Sequence, residues 1–233
     1  MIVTNAEIKL VKSLKDKKFR DELGLFVVEG EKMVAEVLKS DFRVEKVFRK
    51  EEVGAAVMER LSALSSPSPC LALVHRKPAL SPSVREGLCL ALDSVRDPGN
   101  VGTIIRVADW FGIDTLYLSA DCADIYNPKV IQSSMGSIFR VRTASCDIPL
   151  ICSEFRKAGM EVYGTLLDGE NIYRSTLASK GLIVMGNEGA GISAPVRALV
   201  SSKLLIPSFE GSGAESLNVA AATAITLSEF RRR

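Results

Sequence analysis

The chain has 233 residues, 30 Lys+Arg against 28 Asp+Glu, and 47% hydrophobic residues, the make-up of a soluble protein with a packed core. No apolar run reaches the ~20 residues that a membrane span requires. The only histidine is His75, which excludes a multi-histidine metal site and leaves little room for a Ser-His-Asp triad.

Cys70, Cys89, Cys122, Cys146 and Cys152 stand singly, without C-x-x-C spacing, so they read as reduced core residues rather than a disulfide framework. Met1 opens a polar, lysine-bearing segment, and the expectation is a cytoplasmic protein. Charge is uneven: residues 1–85 hold 16 Lys+Arg against 12 Asp+Glu, the remainder 14 against 16. A basic first part suits a polyanion, though scattered lysines serve equally as a solvated face.

In chain order, Thr4-x-x-Glu7 has the capping-box pattern, and the spacing of Ile8, Val11 and Leu14 predicts one helix from near Asn5 to before Gly24. Lys9, Lys12, Lys15, Lys17, Lys18 and Arg20 are assigned to its outer face. Strands are expected over Leu25–Val28, Val44–Phe48 and Cys70–Val74, with helices over Glu31–Leu38 and Glu51–Leu61, a small α/β module. Arg76–Glu86 carries Pro78 and Pro82 and no apolar period, so the expected division is a module over 1–77, a linker over 78–86 and a second domain over 87–233.

In that second domain Gly87–Leu92 is a continuous apolar run of the kind a parallel sheet buries on both faces. Further strands are expected over Thr115–Leu118, Arg140–Thr143, Glu161–Leu166, Gly181–Met185 and Lys203–Ile206. Helices are expected over Asn100–Phe111, Asn127–Met135, Pro149–Ala158 and Pro195–Val200, and from Ala220 to Phe230 after a cap at Ser216. The fold class is therefore α/β with a parallel sheet, whose ligand crevice lies at the C-terminal ends of its strands.

Three glycine-rich turns fall at such ends. In Asp97-Pro98-Gly99-Asn100-Val101-Gly102, the glycines let backbone approach a ligand and Asn100 can cap the helix. Arg106, amid Ile104, Ile105 and Val107, is expected to need an anionic partner. In Met185-Gly186-Asn187-Glu188-Gly189-Ala190-Gly191 the glycine order is wrong for a dinucleotide fingerprint, and a central carboxylate suits a hydroxyl or an arginine better than a pyrophosphate. Ile206-Pro207 leads to Ser216-Leu217-Asn218-Val219, where capping accounts for Ser216 and leaves Asn218 unexplained.

Taken together, N-x-G-x-x-x-R (Asn100 to Arg106), G-N-E-G (Gly186 to Gly189) with Gly191, and I-P leading to S-L-N-V resemble the three motifs of the SpoU (TrmH-type) RNA ribose 2′-O-methyltransferases of the SPOUT superfamily. Residues 1–77 are similar, more loosely, to the RNA-binding module that precedes the catalytic domain in many members. The resemblance implies a C-terminal trefoil knot, S-adenosylmethionine as cofactor, structured rRNA or tRNA as substrate, no metal, and a homodimer. It assigns Asn100, Arg106, Glu188, Ser216 and Asn218 to the catalytic cluster. Thr165, Leu166, Gly186, Asn187, Gly189, Ile206, Leu217 and Val219 are assigned to the methyl-donor pocket. Two rival classes remain at this point: a non-catalytic RNA-binding or assembly protein with a degenerate pocket, and a nucleotide-dependent oxidoreductase.

Overall fold

The structure, a computed structural model, describes residues 2–232. Its first part runs α1 (Asn5–Ser13), α2 (Lys17–Leu23), β1 (Leu25–Glu29), α3 (Glu31–Leu38), β2 (Val44–Arg49), α4 (Lys50–Val53), α5 (Ala55–Leu61) and β3 (Cys70–His75). The capping box forms as expected: the Thr4 hydroxyl accepts from the Glu7 N–H at 3.2 Å, and the Glu7 carboxylate accepts from the Thr4 N–H at 2.7 Å. The single first helix does not form. The chain turns at residues 14–16, and the carbonyls of Leu14 and Lys15 accept from Arg20 Nη1 at 2.8 and 2.7 Å.

Arg20 is therefore not on a solvent-facing basic surface; it is 1% exposed, and its Nη2 and Nε hold Asp124 at 2.7 and 3.0 Å. Lys17 and Lys18 pair with Asp21 and Glu22 one helical turn on. The helix expected over Glu51–Leu61 is likewise divided, by Gly54 at φ 87°. β3 lies between β1 and β2, antiparallel to both. Residues 76–86 have no regular structure, yet they are fastened: the Lys77 N–H donates to the Tyr126 hydroxyl at 3.2 Å, and the Tyr117 hydroxyl donates to Ser83 O at 2.6 Å.

The second part runs β4 (Leu88–Leu92), α6 (Pro98–Trp110), β5 (Thr115–Leu118), α7 (Pro128–Ser134), β6 (Arg142–Ser145), α8 (Ile148–Lys157), β7 (Val162–Asn171), β8 (Gly181–Met185), α9 (Ala194–Arg197), β9 (Ser202–Leu205) and α10 (Val219–Arg232). Its strands form one parallel sheet in the order β6-β5-β4-β8-β7-β9. β4, β5 and β8 are buried at every position, as the continuous apolar runs of β4 and β8 require. Leu88, Leu90 and Leu92 pack on the face covered by α6, α7 and α10, while Cys89 and Ala91 pack on the face covered by α8 and α9.

Phe26, Val28, Met33, Val34 and Val37 of the first part join the α6-side cluster, so the two sheets share one core. β6 begins two residues later than expected because Arg140 is taken by Asp109, at 2.7 Å, and by Glu36.

Two contacts fix α6. Gly102 lies against α7 so closely that a Cβ there would sit 2.6 Å from both Val130 O and Ser133 Cβ. Its lack of a side chain thus serves helix packing rather than approach to a ligand, a correction to the sequence reading. At the far end of α6, Arg231 of α10 donates to the carbonyls of Phe111 and Gly112 at 2.8 and 2.7 Å.

Candidate active site

Loops at the C-terminal ends of β4, β8 and β9 meet beside the start of α6. Asp93, buried at the end of β4, accepts from the Ser193 N–H at 2.7 Å and so ties the first loop to the second. Ser94 follows at φ 63°, and its carbonyl accepts from Asn187 Nδ2 at 2.8 Å. Asp97, not Asn100, caps α6: its Oδ1 accepts from the Asn100 N–H at 2.8 Å, with Pro98 in the first turn where a missing N–H costs nothing. The sequence reading missed Asp97, although Asp followed by Pro is a recognisable helix start.

With its capping role removed, the Asn100 amide is free to connect two other loops. Nδ2 donates to Glu188 Oε1 at 2.9 Å, and Oδ1 accepts from Asn218 Nδ2 at 2.9 Å. Asn218 in turn caps α10, its Oδ1 accepting from the N–H groups of Ala220 and Ala221 at 2.9 and 3.3 Å. The cap expected at Ser216 is thus corrected to Asn218. Ser216 lies two residues before it in the exposed stretch 208–218, with no side-chain hydrogen bond among the described residues. Three residues drawn from three distant segments therefore form one chain, Glu188–Asn100–Asn218.

The loop after β8 closes on itself. Asn187 and Gly191 exchange backbone hydrogen bonds at 2.9 and 3.0 Å, and Asn187 Oδ1 accepts from the Gly189 and Ala190 N–H groups, both at 3.0 Å. A Cβ on Gly186 would lie 2.3 Å from Gly191 C and Ile192 N, so this glycine is needed to close the turn. Gly189 is open and exposed.

The other residues assigned to the donor pocket fall into three settings. Thr165 donates to Val184 O at 3.4 Å, and Leu166 is half-buried on the α8 side. Ile206 is half-buried on the α6 side, and Leu217 is 50% exposed. Val219 is 6% exposed and packs within the core.

Arg106 is exposed, with no ion pair or hydrogen bond among the described residues. Its expected burial amid apolar neighbours is corrected: Ile104 and Ile105 are fully buried, but at 100° per residue Arg106 faces the opposite way. By the same geometry it stands about 120° around α6 from Asn100, and on the same face as Trp110, which is 82% exposed. Near the crevice, hydrogen bonds from Ser94 and Ser119 hold the Asp121 carboxyl down at about 2, and Arg96 pairs with it at 3.2 Å.

A polar cluster at the C-terminal edge of a parallel α/β sheet defines a ligand-binding α/β protein. The family model for the SpoU rRNA methylases matches residues 87–228, and that for the MRM3-like substrate binding domain matches residues 5–65. The chain belongs to the SpoU rRNA methylase family, within the SPOUT superfamily.

It is 32% identical over 243 residues to the 23S rRNA (guanosine(2553)-2′-O)-methyltransferase of Bacillus subtilis, covering 97% of this chain and 96% of that one. The 23S rRNA (uridine(2479)-2′-O)-methyltransferase of Streptomyces viridochromogenes is 38% identical over 159 residues, 64% of this chain and 55% of that relative. Among solved structures, a TrmH-family member from Porphyromonas gingivalis superposes with a TM-score of 0.91 at 38% identity, covering 100% of this chain and 99% of that one. The AdoMet-bound rRNA methyltransferase of Sinorhizobium meliloti does so with a TM-score of 0.89 at 29% identity, covering 100% and 96%.

Proposed function

We propose that this protein transfers a methyl group from S-adenosylmethionine to a ribose 2′-hydroxyl of structured RNA, ribosomal or transfer. The observation that carries the reading is the Glu188–Asn100–Asn218 chain at the sheet edge, in a fold whose relatives carry this activity by name.

The residues fit the methyl donor. The loops after β8 and β9, GNEGAG and IPSFEGSGAESLN, contain the carboxylates Glu188, Glu210 and Glu215 and no cationic side chain. Such a rim favours a sulfonium over a pyrophosphate, and the family match over residues 87–228 speaks against the oxidoreductase alternative. Backbone at Gly186, Asn187 and Gly189 would hold the donor, with Thr165, Leu166, Ile206, Leu217 and Val219 as its apolar surround. When bound, that donor supplies an already activated methyl group. The protein's part is then to orient the 2′-oxygen and let its proton leave.

Asn100 and Asn218 fix Glu188 beside the crevice. Arg106, always protonated, is a poor base. Its role in this reading is to hold the target phosphate and polarise the hydroxyl, the proton leaving through phosphate or water. Ser216, in the exposed stretch 208–218, is given the border of the reacting ribose in this reading.

Because Arg106 points away from Asn100 in one chain, the reading includes a homodimer in which two copies complete each site. The exposed Trp110, on the Arg106 face, supports that arrangement. It also includes the trefoil knot. β9 is the outer strand beside β7, yet residue 218 has returned to α6, and that crossing of the chain supports a threaded C-terminus. The reading takes 1–77 as the RNA-binding module, 78–86 as linker and 87–233 as the catalytic domain, in the cytoplasm.

The test is transfer of radiolabelled methyl from S-adenosylmethionine to total RNA, with the product mapped to the ribose 2′-oxygen. Methylation of a base, or none, would overturn the proposal. Near-normal turnover by Arg106→Lys would remove the role given to Arg106.

A further inference from the structure

Some cations of the first part are already neutralised, while others, Lys32, Lys39 and Lys50 as well as those of α1, are exposed without an ion pair among the described residues. Lys17, Lys18, Arg20, Lys46 and Lys77 are all engaged by carboxylates, with Asp21, Glu22, Asp124, Glu7 and Asp41 respectively. Lys9, Lys12 and Lys15 are exposed, and their ammonium groups have no ion pair or hydrogen bond among the described residues. Lys9 and Lys12 lie three residues apart on α1, roughly 4.5 Å along its axis, and Lys15 stands in the turn that follows it.

Lys15 stands at the seam between the two sheets, lining a small crevice with Pro128, Ile131 and Gln132 of α7. On that same helix Lys129 is exposed, and its ammonium is likewise unpaired among the described residues. Its Cε and Nζ reach to 3.4 and 3.7 Å from the position a Cβ would take on Gly99, the residue before Asn100. Free positive charge thus runs from α1, across the seam, to the catalytic loop. The buried Arg20–Asp124 pair ties the first part to the second beside this path.

We propose that Lys9, Lys12, Lys15 and Lys129 form one track for the RNA sugar–phosphate backbone, leading from the N-terminal module across α7 to the ribose at Asn100. This rests on the reading of the protein as an RNA ribose methyltransferase and adds where the RNA lies. Phosphate contacts without base contacts give binding that is uniform in sequence and steep in salt. Each lysine on the track should therefore contribute about one unit to the salt slope. Lys17 and Lys18, neutralised by their neighbours and close by in sequence, should contribute little, which makes them internal controls.

The experiment measures RNA KM, kcat and the salt dependence of RNA binding for Lys15→Met, Lys129→Met, Lys17→Met and Lys18→Met in the full chain, with S-adenosylmethionine affinity as the check on folding. The expected result is a KM for RNA raised about tenfold and a salt slope lowered by about one in each of the first two variants. Donor affinity should be unchanged, and the two controls should match the parent protein. Equal behaviour of all four variants would overturn the track. If the parent protein transfers no methyl to RNA, the functional reading fails instead, and filter binding of RNA to the same variants still decides whether the track exists.

Discussion

Asn218→Asp separates two jobs that one side chain performs. Asn218 Oδ1 accepts from the Ala220 and Ala221 N–H groups, while its Nδ2 donates to Asn100 Oδ1 at 2.9 Å. Aspartate caps a helix as well as asparagine and brings its charge to the positive end of α10, so stability should change by only about 0.5 kcal/mol, or about 1–2 °C in Tm. The other carboxylate oxygen, however, would face Asn100 Oδ1, acceptor against acceptor. At this exposed edge water can solvate the freed oxygen, so the loss is at most that of one hydrogen bond, about 0.5–1.5 kcal/mol, and if Asn100 turns over to escape the clash, Glu188 loses its donor. If that energy is needed in the transition state, kcat should fall about 2- to 13-fold. Asn218→Ala should lose both functions, with Tm down about 2–4 °C for the missing cap. Differential scanning fluorimetry and methyl transfer at saturating RNA read the two effects apart. An aspartate variant with parental kcat, or one as heat-labile as the alanine variant, would refute the argument.

Arg20→Met strands Asp124 and two carbonyls in a buried setting, where breaking one side of an ion pair costs about 3–5 kcal/mol; Tm should fall by about 6–20 °C. Adding Asp124→Leu should restore most of that loss, and a single variant within 2 °C, roughly one experimental step, of the parent would contradict the burial argument. Gly186→Ala must move the loop about 1 Å to relieve a 2.3 Å contact, so turnover should drop about 100-fold with the circular dichroism spectrum intact; parental turnover would show that the turn tolerates a side chain. Burial pushes the Cys89 and Cys146 thiols up to about 11 and Cys152 to about 12. At pH 8 only about 0.1% or less of each is thiolate, so folded protein should label slowly with a disulfide reagent and promptly once unfolded. Fast labelling of Cys152 in the folded protein would be incompatible with its burial.

The central strands β4 and β8 were legible because they are buried on both faces and their sequences are continuous apolar runs. Boundaries failed where a distant residue intervened. The first helix broke because Arg20 turns inward to Asp124, a partner 104 residues away, and no local periodicity contains that information. Asn100, Glu188 and Asn218 could be singled out because they stand in motifs that resemble those of a known family; local structure alone left only Asn218 without a role. Which of them also caps a helix was not readable: Asn100 and Ser216 were both credible caps, and only the structure gives those positions to Asp97 and Asn218. Gly102 was misread for a related reason, since a glycine needed by a neighbouring helix and one needed by a ligand look the same in one dimension.

The hydrogen bond between Asn100 and Asn218 joins residues 118 positions apart, and that distance has a meaning in time. At about 5–20 residues per second of synthesis, roughly 6–24 seconds pass between the making of the one amide and the making of the other. Through that interval a nascent chain can lay down β5 to β9 while α6 lacks its Asn218 partner at one end and Arg231 at the other. A polypeptide of this family is born beside ribosomal RNA, and its own chain order keeps the Glu188–Asn100–Asn218 chain unassembled until almost everything else has been built.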